Sequence, residues 1–153
     1  ANGEKRLLTD RRKLGCIIPD TPLGGDPVNG VICEGWATGC ALLETQHDPQ
    51  LIAAIDAGNL TEVAIRARLK WPDAEIIIAA DDVRQTAGNP GLKKAKAAAV
   101  ASNALLVSPS WPVDAPQDLT DFKILPGGLG PAFLHILTFR RTTLGKSRWA
   151  ADP

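Results

Sequence analysis

Carboxylates stand at three places where a short apolar run gives way to a turn. Glu34 follows Val31-Ile32-Cys33, Asp56 follows Leu51–Ile55, and Asp81-Asp82 follow the run around Ile76-Ile77-Ile78. Carboxylates gathered at one edge repel unless a cation joins them, and hard oxygen donors suit Mg²⁺ or Mn²⁺. Such an ion keeps coordination positions open for phosphate oxygens. The same residues also fit plain helix capping, which is common for acidic side chains at such turns. Asp56 leans that way, because Asn59 and Glu62 organise the adjoining helix. Arg84, Lys93, Lys94 and Lys96 lie in or just beyond the loop after the third run. They stand near a helix start whose free N–H groups favour anions. That combination suits a phosphate-bearing substrate; a solvated lysine face on an Ala-rich helix is the alternative, favoured for Lys96. Trp36 fits either a base-stacking position or a partly buried core tryptophan, and its pattern favours the core.

The elements that must hold these residues alternate. Apolar runs at 31–33, 51–55, 74–80 and 104–108 read as strands, and helical patterns cover 38–46, 60–70 and 92–103. Asn59 with Glu62 three residues on predicts an N-cap with a capping-box partner. Asn89-Pro90 places a capping residue before a proline at the first helical position. Trp71-Pro72 ends the second helix, since a residue before proline is pushed out of the α region. Continuous apolar strands alternating with helices predict an α/β fold: about four parallel strands with helices on both faces, from which ligands bind beyond the carboxyl ends of the strands. Residues 14–18 predict a short N-terminal β extension. The expected divisions are 1–29 as extension and Pro/Gly loop, 30–122 as the domain, and 123–153 as a divergent tail; five of the twelve prolines fall within 109–131.

A chain of 153 residues with 44% hydrophobic and 22% charged residues fits one globular domain. Lys+Arg and Asp+Glu each number 17, which excludes a uniformly basic nucleic-acid coat protein and a strongly acidic tail protein. The zero net charge conceals a division. Residues 1–13 hold five basic groups against two acidic, 14–122 seven against fourteen, and 123–153 five against one. Cys16, Cys33 and Cys40 lack any C-x-x-C spacing and read as reduced structural thiols of a cytoplasmic protein. No apolar run is long enough to span a bilayer, and no leader pattern opens the sequence. The absence of Met predicts an excised or processed chain.

These residues resemble the Toprim domain of primases and topoisomerases, and within it the primases of plasmids, phages and integrated elements. The likeness rests on VICEGWATGCALLE (31–44), DAGNL (56–60), PDAEIIIAADD (72–82), NPGLKKAKAAA (89–99) and LTDF (119–122). The Glu-Gly-aromatic-Ala-Thr opening is its most specific part. The resemblance implies a Toprim (Rossmann-like) fold and metal-dependent nucleotidyl transfer in primer synthesis. Glu34 would serve as general acid/base or help hold metal, and Asp81, with Asp82, would be a Mg²⁺ ligand. Arg84, Lys93 and Lys94 would meet phosphate. Single-stranded DNA template and nucleoside triphosphates would be the partners in the full-length bacterial, cytoplasmic protein, with helicase and primase regions in cis and no membrane. Two departures stand out. Val83 occupies the place of the second aspartate of the DxD motif, and Lys123-Ile124 stand where an Asn-Asp pair is expected. The likeness stops there, which suggests a reading-frame change or a swapped terminus. A catalytically weak metal- or nucleic-acid-binding module and a Toprim nuclease are the other functions the pattern allows.

Overall fold

The computed structural model describes residues 12–43, 50–81 and 86–108. Four strands run parallel: β2 (Asn29–Cys33), β3 (Gln50–Ala53), β4 (Glu75–Ala79) and β5 (Leu105–Val107). The short β1 (Ile18–Pro19) pairs antiparallel with β3, which supplies the expected N-terminal β extension. The sheet order is β1-β3-β2-β4-β5. Helix α1 (Trp36–Leu43) links β2 to β3. Helix α2 (Leu60–Lys70) then carries the chain past β2 to β4, and α3 (Pro90–Ser102) leads to β5. The connections therefore reverse direction around β2, which opens a crevice between the carboxyl ends of β2 and β4. In doubly wound sheets that crevice is where ligands bind.

Strand alternation divides the core between two layers. Ile32, Ile52, Ile76 and Ile78 join Leu60, Val63, Ala64 and Ala67 of α2 and Ala95, Ala98 and Ala99 of α3. The opposite parity, Val31, Cys33, Leu51, Ala53 and Ala79, packs with Leu42 and Leu43 of α1. Helices thus cover both faces, with α2 and α3 in contact on one of them. Alanines at that contact let the two helix backbones approach closely. Arg68 locks the ends of the same layer. Its guanidinium donates to the carbonyls of Ser102 (3.0 Å), Asn103 (3.1 Å), Pro72 (3.0 Å) and Ala74 (2.8 Å).

Three local expectations change. Asn59 stands at the N-cap of α2 but makes no side-chain capping bond. It is fully buried and turned inward instead, while Glu62 pairs with Arg66 one helical turn on. Strand β3 ends at Ala53 because Ile55 takes a left-handed backbone (φ 75°), which no strand continues. Helix α1 starts at Trp36 rather than Thr38, since the Gly39 amide already bonds the Gly35 carbonyl at 3.0 Å. At α3 the expectation holds: Asn89 accepts from the Leu92 amide at 3.3 Å, with Pro90 at the first helical position.

Candidate functional site

The site is built on the paired ends of β2 and β4, where Cys33 stands opposite Ala79. Glu34 is the next residue after Cys33, and Asp81 lies two beyond Ala79. Both carboxylates are therefore fixed by adjacent parallel strands at the mouth of the switch-point crevice. Strand β4 has ended before Asp81, so period-two alternation no longer governs Asp81. Glu34 and Asp81 are each partly buried, and Oδ1 of Asp81 is withdrawn from solvent.

Cys33 organises the turn between them. Its thiol donates to the Gly35 carbonyl at 3.3 Å, and the Gly35 carbonyl in turn accepts from the Gly39 amide of α1. Burial pushes the Cys33 thiol up to about 12, and the negative charge of Asp81 adds to that, with smaller additions from Cys40 and Glu34. Both carboxylates thus project their field onto one buried sulfur. All three cysteines are free thiols, as their spacing implies. Helix α1 sits hard against this turn. A Cβ on Gly39 would come within 2.8 Å of Leu51 Cδ2 and 3.3 Å of Cys33 Sγ, so any larger residue would force the buried Leu51 side chain to shift.

Asp56 is held elsewhere. Its carboxylate pairs with Lys13 and accepts the Asn59 amide at 3.2 Å. Burial raises its pKa, but Lys13 and the amides of Gly58 and Asn59 outweigh that and hold it below the ordinary carboxylate value. Asp56 therefore follows the loop-bonding alternative. Asn59 supplies what the residue pattern missed. Its side chain accepts from the Gly15 amide at 2.7 Å and donates to the carbonyls of Cys16 (2.8 Å) and Ala54 (2.9 Å). It ties the N-terminal extension to the end of β3, a long-range role with no local signature.

The basic residues divide. Lys93 and Lys94 are exposed on the first turns of α3. Lys94 Nζ reaches toward the 56–58 loop, 3.8 Å from where a Cβ on Gly58 would lie. Asp82, Val83 and Arg84 lie outside the described residues. Trp36, for which the pattern favours a core position, is 39% exposed and belongs to neither core layer. Trp71, by contrast, is buried in the core layer with α2 and Ala74.

Two carboxylates with hard oxygens fit Mg²⁺, which binds through one or two protein carboxylates and keeps water or phosphate oxygens for the rest. Among the described residues no three His, Cys, Asp or Glu side chains gather into a complete protein cage. No helix among them is long and apolar enough to cross a membrane.

Comparison with known proteins bears on the same edge. Residues 30–127 match the Toprim domain family. A DNA primase TraC of Escherichia coli is 37% identical over 164 aligned positions, covering 99% of this chain and 11% of that protein. A second Escherichia coli DNA primase TraC is 38% identical over 132 positions, covering 82% of this chain and 12% of that protein. The first alignment extends into residues 123–153, where the residues on their own suggested no likeness. The chain spans about a tenth of the length of these curated relatives. No solved structure matches it. With Glu34 and Asp81 at adjacent parallel strand ends inside the matched segment, the chain belongs to the Toprim family.

Proposed function

We propose that this chain is the Toprim domain of a plasmid-, phage- or element-type DNA primase and supports Mg²⁺-dependent nucleotidyl transfer in primer synthesis. The observation that carries the reading is the placement of Glu34 and Asp81 on either side of the β2/β4 switch point. Asp81, with Glu34 and Asp82, would hold Mg²⁺ or Mn²⁺. The bound ion would neutralise charge on the transferring phosphoryl group. Glu34, on the turn that Cys33 and Gly35 close, would exchange a proton with the attacking hydroxyl. Arg84, Lys93 and Lys94 would attract the triphosphate or the DNA backbone, since charge near a cleft raises local substrate concentration.

Template single-stranded DNA, nucleoside triphosphates and flanking helicase and primase regions in cis belong to this proposal, as does a cytoplasmic setting. Similarity to DNA primase TraC over most of the chain supports it. The test is Glu34→Gln in the full-length primase. Priming should fall by about 100-fold or more, the usual contribution of a general acid/base, with circular dichroism unchanged. Unchanged priming overturns the role of Glu34.

One observation favours a second reading, a catalytically weak binding module. Val83 stands where the second DxD aspartate is expected, so the site has one ligand fewer. A full-length protein that binds Mg²⁺ and single-stranded DNA but incorporates no nucleotide would select this reading.

A further inference from the structure

We propose that Trp36 is the stacking platform for a nucleobase at the Glu34–Asp81 edge; the inference rests on the reading of that edge as a nucleotide-handling site. The chain spends few aromatic residues, 5% of its length, and the two described tryptophans are used in opposite ways. Trp71 is 2% exposed, and its indole N–H donates to the Gly25 carbonyl at 3.1 Å. Trp36 is 39% exposed and lies in neither core layer. With 39% of its surface in water and Glu34 two residues away, the Trp36 indole has apolar area available to a flat partner.

Position and rigidity point the same way. Trp36 is the first residue of α1 and stands two residues after Glu34. Between them, no described atom lies within 4 Å of where a side chain on Gly35 would be, so none of the described residues crowds that side. Helix α1 cannot shift easily, because Gly39 seats it against Leu51 and Cys33. Thr38, two residues along and so on the other side of the helix, is buried. A tryptophan has only two side-chain torsions, so holding it in place costs little entropy. The first turn of α1 carries no acidic side chain. Its N-terminal dipole is therefore compatible with the phosphate that accompanies any base. The other exposed large apolar residues, Leu14, Ile18, Val28, Leu69 and Val100, do not adjoin Glu34 in sequence, and single exposed apolar residues are ordinary on a surface.

The base could belong to an incoming nucleoside triphosphate or to a template strand. The experiment compares the full chain with Trp36→Ala and Trp36→Phe, each checked by circular dichroism. Binding is measured in Mg²⁺ for a nucleoside triphosphate, for inorganic tripolyphosphate, for an oligothymidylate and for its abasic counterpart. Base stacking on an aromatic side chain predicts that Trp36→Ala weakens base-bearing ligands by about 5- to 100-fold. Tripolyphosphate and the abasic strand should change little, and Trp36→Phe should retain most affinity. Loss confined to the triphosphate assigns the incoming nucleotide, and loss confined to the oligothymidylate assigns the template. Equal binding by Trp36→Ala, or equal loss for base-bearing and base-free ligands, overturns the proposal. Mg²⁺ binding with no base-dependent binding also overturns it while sparing the metal reading; base-dependent binding without Mg²⁺ binding does the reverse.

Discussion

Cys33, the last residue of β2, lies in the field of Asp81, two residues past the end of β4, and that charge adds to burial in holding its thiol protonated. The relationship crosses the switch point of the sheet. It makes a buried, chemically quiet sulfur a reporter of the carboxylate edge.

The thiol gives the first prediction. The folded state keeps a proton to about pH 12 that the unfolded chain releases near 9, the ordinary value of a thiol. Stability is therefore full below pH 9 and falls as pH rises from there toward 12. Urea unfolding between pH 8 and pH 11 measures the loss. Asp81→Asn removes a charge that raises the folded thiol's pKa, so the fall should still begin near pH 9 but end at lower pH and be smaller in total. At pH 8 a thiol reagent should modify exposed Cys16 rapidly and Cys33 only as fast as the protein unfolds. Rapid modification of native Cys33 contradicts the placement.

Asn59 gives the second. Asn59→Ala removes a fully buried side chain and strands the Gly15 amide and the carbonyls of Cys16 and Ala54. Losing one buried and two part-buried hydrogen bonds should destabilise the fold by about 1–3 kcal/mol. Chemical denaturation reads this, and the 13–17 segment should lose hydrogen-exchange protection first. A loss under about 0.5 kcal/mol, the range of an ordinary surface substitution, contradicts the tie.

The pair of Lys13 and Asp56 titrates in acid. Its carboxyl is held below the usual value in the folded state. The stabilisation is present above the unfolded pKa and is lost as pH falls through the depressed folded one, below about pH 4. Both side chains are more than a third exposed, so solvent screens the pair to a contribution of about 0.2–1 kcal/mol. Asp56→Asn should lower the urea midpoint at pH 7, and the difference should shrink as pH falls below about 4. A difference that does not shrink with falling pH rules out the charge as the cause.

The residue pattern reads the sheet well because four apolar runs and three helical stripes are local signals. Pro90 and Asn89 fix the start of α3 through neighbours alone, so that boundary is legible too. Asn59 is not, because its partners Gly15 and Cys16 lie over 40 residues away, and a capping-box spacing mimics a different role. Ile55 reads as strand by composition, yet a left-handed backbone ends β3 before it. Glu34 and Asp81 are legible as carboxylates after apolar runs. Their proximity follows only from the β2–β4 register, which local pattern does not specify. Trp36 is misread because its hydrophobicity counts toward a core that the topology places elsewhere.

The most direct test of the account is a Mg²⁺ titration of the chain, followed by calorimetry and backbone NMR shifts, on the unsubstituted protein, Asp81→Ala and Glu34→Ala. Saturable binding should shift amides at the ends of β2 and β4 and at the start of α1. Asp81→Ala should abolish it and Glu34→Ala should weaken it. Lack of saturable binding at millimolar Mg²⁺, or binding that Asp81→Ala leaves intact, would contradict the assignment of this edge as a metal-dependent site.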